Sequence, residues 1–170
     1  MKTLMLLVAV AALFASGLGQ ESKPLAPSSA AFDKLKSLAG EWEGTMNEGG
    51  KEIPSKTSFR VVSDGSALMN VLASGTPYEM VTMFHMDGSD LLATHYCAAH
   101  NQPRFRFVSA SEPNVVSFEF KDATNLSSPS ASHMVRIKFT LLDPNHHLED
   151  WTSTENGQTN TGVFDFHRKH

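Results

Sequence analysis

Beyond Gly40 the sequence does not sustain the 3.6-residue apolar period of a helix. Apolar and polar residues alternate instead, and turn signals interrupt the alternation at short intervals. About ten short strands follow from this pattern, over 41–47, 53–63, 66–73, 78–86, 89–98, 103–110, 115–122, 133–142, 147–155 and 158–169. Gly49-Gly50, Asp64-Gly65, Asp87-Gly88, Asp143-Pro144-Asn145 and Asn156-Gly157 supply turns between them. Links this tight join neighbours antiparallel, as a meander. An open meander of such length would leave two long unpaired edges, and closing on itself removes both. The predicted fold is therefore all-β, an antiparallel meander β-barrel of about ten strands. One short helix precedes it: Ser29 can cap a run with Ala31, Phe32, Leu35, Leu38 and Ala39 near one face, closed by Gly40.

The first residues read differently. Residues 1–19 begin with Lys2, continue with an apolar run from Leu4 to Phe14 and end in small residues, the pattern of a secretory signal peptide. The run is short of the roughly 20 residues that span a bilayer. Cleavage before Gln20 is expected, placing the mature chain in a secreted or periplasmic setting. Residues 20–30 are polar, with Pro24 and Pro27, and read as a flexible lead-in to a single domain over 31–170. The 170-residue chain carries 14 Lys+Arg against 18 Asp+Glu, a net charge of -4. That balance argues against a nucleic-acid partner and against a polybasic membrane surface. Cys97 is the single cysteine, so no intramolecular disulfide can form.

The two strongest hairpin signals fix which residues share a face. A two-residue turn at Asp87-Gly88 pairs Met86 with Ser89 and sets Met80 opposite His95. Tyr78, Met80, Thr82, Phe84, Met86, Leu91, Ala93, His95 and Cys97 then share a face without an acid or lysine, which is assigned to the interior. The same count across Asn156-Gly157 places Trp151 opposite Gly162, Glu149 opposite Phe164, and His147 opposite Phe166. Trp151, Phe164 and Phe166 make that face interior and carry Glu149 and His147 inward with them. A packed core accepts such groups only when they are paired, whereas a hydrated cavity accepts them easily. They are read here as a sign of a cavity.

Several other residue types carry chemistry. His95 and Cys97 share a face, but neighbours on one strand face stand roughly 7 Å apart, long for a nucleophile pair. His95, His147 and Glu149 could gather a metal inside the barrel, yet the usual spacing motifs are absent and no metal site is assigned. Arg104 and Arg106 alternate with Phe105 and Phe107, and whichever pair points inward either clamps a ligand carboxylate or fills the core. Methionines are scattered over several strands and suit an adaptable apolar interior. No glycine-rich phosphate loop, Gly-x-Ser-x-Gly or His-Glu-x-x-His occurs.

Gly40-Glu41-Trp42-Glu43-Gly44, placed after a short helix and opening the first strand, resembles the Gly-x-Trp start of calycins. These comprise lipocalins, fatty-acid-binding proteins and nitrobindin-like barrels. The resemblance implies that Trp42 is the structural plug of one barrel end, and ten strands are more like the ten-stranded members. Three further stretches, 60–69, 79–85 and His95-Tyr96-Cys97-Ala98-Ala99-His100-Asn101-Gln102-Pro103-Arg104, look like a family of small secreted bacterial calycin-like proteins without an assigned activity. Nitrobindins hold haem through a histidine near the chain end. His167 and His170 are the nearest candidates here, but His167 alternates with Phe164 and Phe166 and so faces outward.

The leading expectation is a secreted barrel that binds a small hydrophobic molecule in its interior, with His95, Cys97, Arg104, Glu149 and Trp151 as ligand-binding residues. An isomerase or hydrolase using His95 and Glu149 as base and acid, a haem-binding barrel, and a filled barrel with a structural role are the alternatives.

Overall fold

The computed structural model describes residues 27–170. The leader and residues 20–26 of the lead-in lie outside them. The order is α1 (Pro27–Lys36), β1 (Gly40–Glu48), β2 (Lys51–Val62), β3 (Ala67–Leu72), β4 (Met80–Asp87), β5 (Asp90–Tyr96), β6 (Gln102–Val108), β7 (Val115–Thr124), β8 (His133–Asp143), β9 (His146–Glu155) and β10 (Gln158–Arg168). The ten strands form a closed antiparallel barrel in sequence order, with β1 pairing β10 to complete the ring. The helix starts earlier than the Ser29 cap implied. Pro27 occupies its first turn, where a missing N–H costs nothing.

At the second hairpin the predicted register holds throughout: Glu155 pairs with Gln158, Trp151 with Gly162, Glu149 with Phe164 and His147 with Phe166. Asn156 and Gly157 both take positive φ, 50° and 77°, as a type I′ turn requires. At the first hairpin the register differs by two. Asp87 pairs with Asp90, so the turn residues are Gly88 and Ser89, and His95 lies opposite Thr82 rather than Met80. Gly88 takes the positive φ at the first central position, where a II′ turn favours glycine. A shift of two preserves strand parity, so Thr82, Phe84, Leu91, Ala93 and His95 are buried as the alternation indicates.

Two residues of that face leave it. Tyr78 precedes β4 and is 71% exposed. Cys97 follows β5 and is half-buried in a turn closed by the Cys97 N–H on Asn101 O (3.1 Å) and the His100 N–H on Cys97 O (3.0 Å).

The interior is packed with aromatic side chains. Phe84 touches Phe118 and Phe139 at ring centroid distances of 5.4 and 5.8 Å, and Phe59 meets Phe139 at 6.1 Å. Phe105 and Phe166 are also fully buried. Helix α1 covers the end where β1 begins and β10 finishes, burying Phe32, Leu35 and Leu38. Trp42 sits beneath it, 1% exposed, and donates its indole N–H to Leu38 O at 2.8 Å. The Arg168 guanidinium lies 4.1 Å over the Trp42 ring and donates to Ala39 O and Ser37 O. Outward positions carry charge, as in the pairs Lys56–Glu43 and Lys138–Asp150. No helix of the described residues is long and apolar enough to cross a membrane.

Candidate functional site

A buried polar ribbon runs through the core. Because side chains alternate along β9, His147, Glu149 and Trp151 all project inward from one strand. His147 and Glu149 are both 0% exposed. One carboxylate oxygen of Glu149 accepts from His147 Nε2 at 3.0 Å, and the other accepts from Trp151 Nε1 at 2.9 Å. This pairing is what lets a carboxyl group lie in an aromatic core. The inward acid therefore marks a closed hydrogen-bond network rather than a hydrated cavity, which corrects the expectation from the sequence. The edge of His147 meets Trp42 at a centroid distance of 4.3 Å, tying the ribbon to the helix-covered end.

Across the barrel, register aligns a second polar row, Asn70 on β3, Thr82 on β4 and His95 on β5. Thr82 Oγ1 and His95 Nδ1 share a hydrogen bond of 2.9 Å. Asn70 donates to Thr57 Oγ1 at 2.7 Å. Burial pushes the His95 imidazole down to about 4, so it is neutral near neutral pH. Its ring lies 4.8 Å from that of Trp151, the indole touching His95 while donating to Glu149. Among the described residues, His95 Nε2 and Asn70 Oδ1 are buried without a hydrogen-bond partner.

The candidate residues therefore fall into three groups. His95, Glu149 and Trp151 are interior and joined through Trp151, but His95 bonds Thr82 while Glu149 is satisfied by His147 and Trp151. An acid and base poised over a shared substrate are not formed, nor do His95, His147 and Glu149 gather as a metal set among the described residues. Cys97 is not an interior residue. It sits at the rim, where burial pushes its thiol up and the Ala99 N–H on sulfur (3.5 Å) offsets this only in part, so it is a poor thiolate nucleophile. Arg104 is not interior: it faces solvent and pairs with Asp122, while Phe105 on the same strand fills the core.

The open end, opposite α1, holds a cavity of about 140 Å³. Met46, Leu72, Met80, Met134 and Phe164 form its walls, Trp151 its inner surface, and Ser153 and Asn160 its polar rim. Only Trp151 among the expected ligand-binding residues lines it. The methionines were legible as flexible apolar residues, and Met46, Met80 and Met134 stand near strand ends on inward positions, but nothing in the alternation marks a strand end as a mouth. A haem does not fit this cavity. The cavity lies well below the roughly 300 Å³ of ordinary small-molecule sites and no histidine lines it. The His167 side chain is 65% exposed on the outside of the barrel.

No family model and no curated protein matches the chain. Among solved structures, Rv2717c from M. tuberculosis is similar at a TM-score of 0.56 and 15% identity, over 82% of this chain and 98% of that one. A protein of unknown function from the DUF3598 family of Nostoc punctiforme is similar at 0.52 and 12%, over 79% of this chain and 48% of that one. At these identities the likeness is one of fold alone.

Proposed function

We propose that the chain is an exported, calycin-like barrel that binds one small, largely apolar molecule, or the apolar end of a longer one, at its open mouth. The observation that carries this reading is the methionine-walled cavity of about 140 Å³ over the Trp151 indole. Apolar walls with a few polar atoms at the rim suit a ligand that buries its hydrocarbon and keeps one polar end wet. A cavity of roughly 150 Å³ accepts a benzene ring. Ligands of that size bind in about the millimolar to micromolar range. Flexible methionine walls would adapt to the ligand's outline. The calycin-like reading rests on the Gly-x-Trp opening beneath a short helix, and export on the leader pattern at 1–19.

Methyl-labelled methionine NMR tests the site. Benzene and 1-octanol, added separately, are expected to shift the Met46, Met80 and Met134 methyl signals saturably. Met134→Trp, which fills the mouth, is expected to abolish those shifts. Unmoved methyl signals at saturating probe, together with a bare protein mass in native mass spectrometry of material from its own host, would overturn the proposal. An N-terminus at Gln20 in host-purified protein tests the export reading.

A further inference from the structure

We infer that the outer surface at the helix-covered end carries a binding site for a divalent transition-metal ion, with His146, Asp165 and His167 as ligands. The placement follows from pairing. His146 on β9 lies directly opposite His167 on β10, and Asp165 precedes His167 by two, hence on the same face. Their neighbours His147 and Phe166 take the inward positions, so these three are left together on the outside.

The donors already converge. Nε2 of His146 lies 2.9 Å, and Nε2 of His167 3.4 Å, from the same Asp165 oxygen, Oδ1. The two imidazole rings stack at 4.2 Å with an interplanar angle of 24°. All three ligand atoms fall within 4.8 Å of one another. Tetrahedral zinc, with bonds of about 2.0–2.2 Å, holds its donors roughly 3.3 Å apart. Small side-chain rotations on two hydrogen-bonded strands reach that arrangement.

The neighbouring cations do not occupy the carboxylate. Arg168 is engaged by Pro144 O, Ala39 O, Ser37 O and the Trp42 ring, and Lys169 pairs with Glu43. Two imidazoles and one carboxylate suit Zn²⁺, Ni²⁺ or Cu²⁺, whereas Mg²⁺ and Ca²⁺ require oxygen donors. Three protein ligands leave at least one position open to water. The site is at the far end of the barrel from the methionine-walled mouth and shares no residue with it, so either reading can fail alone.

Calorimetric titration of tag-free protein with ZnCl₂ tests the assignment. One ion per chain is expected. H146A, H167A and D165N are each expected to weaken binding at least about tenfold, while H100A, at an exposed histidine elsewhere, leaves it unchanged. Urea midpoints near the wild-type value confirm that these surface variants fold. Co²⁺ in place of zinc is expected to give visible absorption bands that H167A abolishes. A zinc isotherm shared by the wild type and the H146A/H167A double variant, or an equal loss in H100A, would overturn the site.

Discussion

Replacing Glu149 removes the hub of the buried ribbon, and the geometry fixes how much should be lost. In Glu149→Ala, His147 Nε2 and Trp151 Nε1 lose their acceptor inside the core. An orphaned buried donor costs about 1–3 kcal/mol, so the variant should lose roughly 2–6 kcal/mol. Glu149→Gln is a finer probe. The indole N–H can only donate, so the amide oxygen must serve Trp151 and the amide NH₂ must face His147 Nε2. His147 then has to accept there and carry its proton on Nδ1, a buried atom without a partner among the described residues. One misfit replaces two, and the cost falls to about 1–3 kcal/mol. Urea unfolding followed by tryptophan fluorescence reads both. With a slope near 2 kcal/mol per molar, the Glu149→Ala midpoint should fall by roughly 1–3 M and that of Glu149→Gln by about half as much. Adding His147→Phe to Glu149→Ala should cost less than the sum of the single changes, because one orphan disappears. A Glu149→Ala midpoint equal to the wild type, or Glu149→Gln below Glu149→Ala, would refute the network.

Other outcomes follow from the same structure. The His95 imidazole is held near 4 against an ordinary 6.5, so between those values the unfolded chain binds a proton that the folded one does not. Stability should therefore fall as pH drops below about 6.5 and level off below about 4, and His95→Gln should flatten that slope; a ring titration with its midpoint at 6.5 would contradict this. Phe105→Ala should cost about 3–5 kcal/mol in urea unfolding. Arg104→Ala, at an exposed ion pair, should cost at most about 1 kcal/mol, and the reverse ranking would invert β6. A Cβ on Gly44 would stand 1.8 Å from Asp165 O, so Gly44→Ala should part β1 from β10 and lower the melting temperature, and an unchanged melting temperature would count against this close approach.

Much of the barrel was legible because period-two alternation and turn chemistry are local. Asn156-Gly157 gave the register of β9 and β10 residue by residue, since both residues accept positive φ. At Asp87-Gly88-Ser89-Asp90 two overlapping turns fit the same residues, and the sequence does not distinguish Asp-Gly from Gly-Ser. Parity survived the difference, so His95 was placed inward with the wrong partner. Cys97 was misplaced because alternation does not say where pairing stops. Arg104 and Phe105 were undecided for the opposite reason, as either parity was acceptable along β6 alone. The interior volume was out of reach: whether Glu149 meets water or His147 depends on how Phe59, Phe139 and Phe166, from three different strands, fill the space together. The outer His146, Asp165 and His167 cluster follows from the Asn156-Gly157 register, one pair beyond His147 and Phe166.

The clasp made by Arg168 bears on biosynthesis. Its guanidinium reaches back 129 and 131 residues along the chain, to Ala39 O and Ser37 O. The seam it locks joins β1, made early, to β10, made late. A nascent chain on the ribosome thus carries β1 with one edge unpaired through the synthesis of every intervening strand. Such distant pairing folds slowly and leaves edges open to wrong partners. Ring closure consequently waits for β10, and a chain interrupted before β10 is left with two sticky edges rather than a slightly smaller barrel.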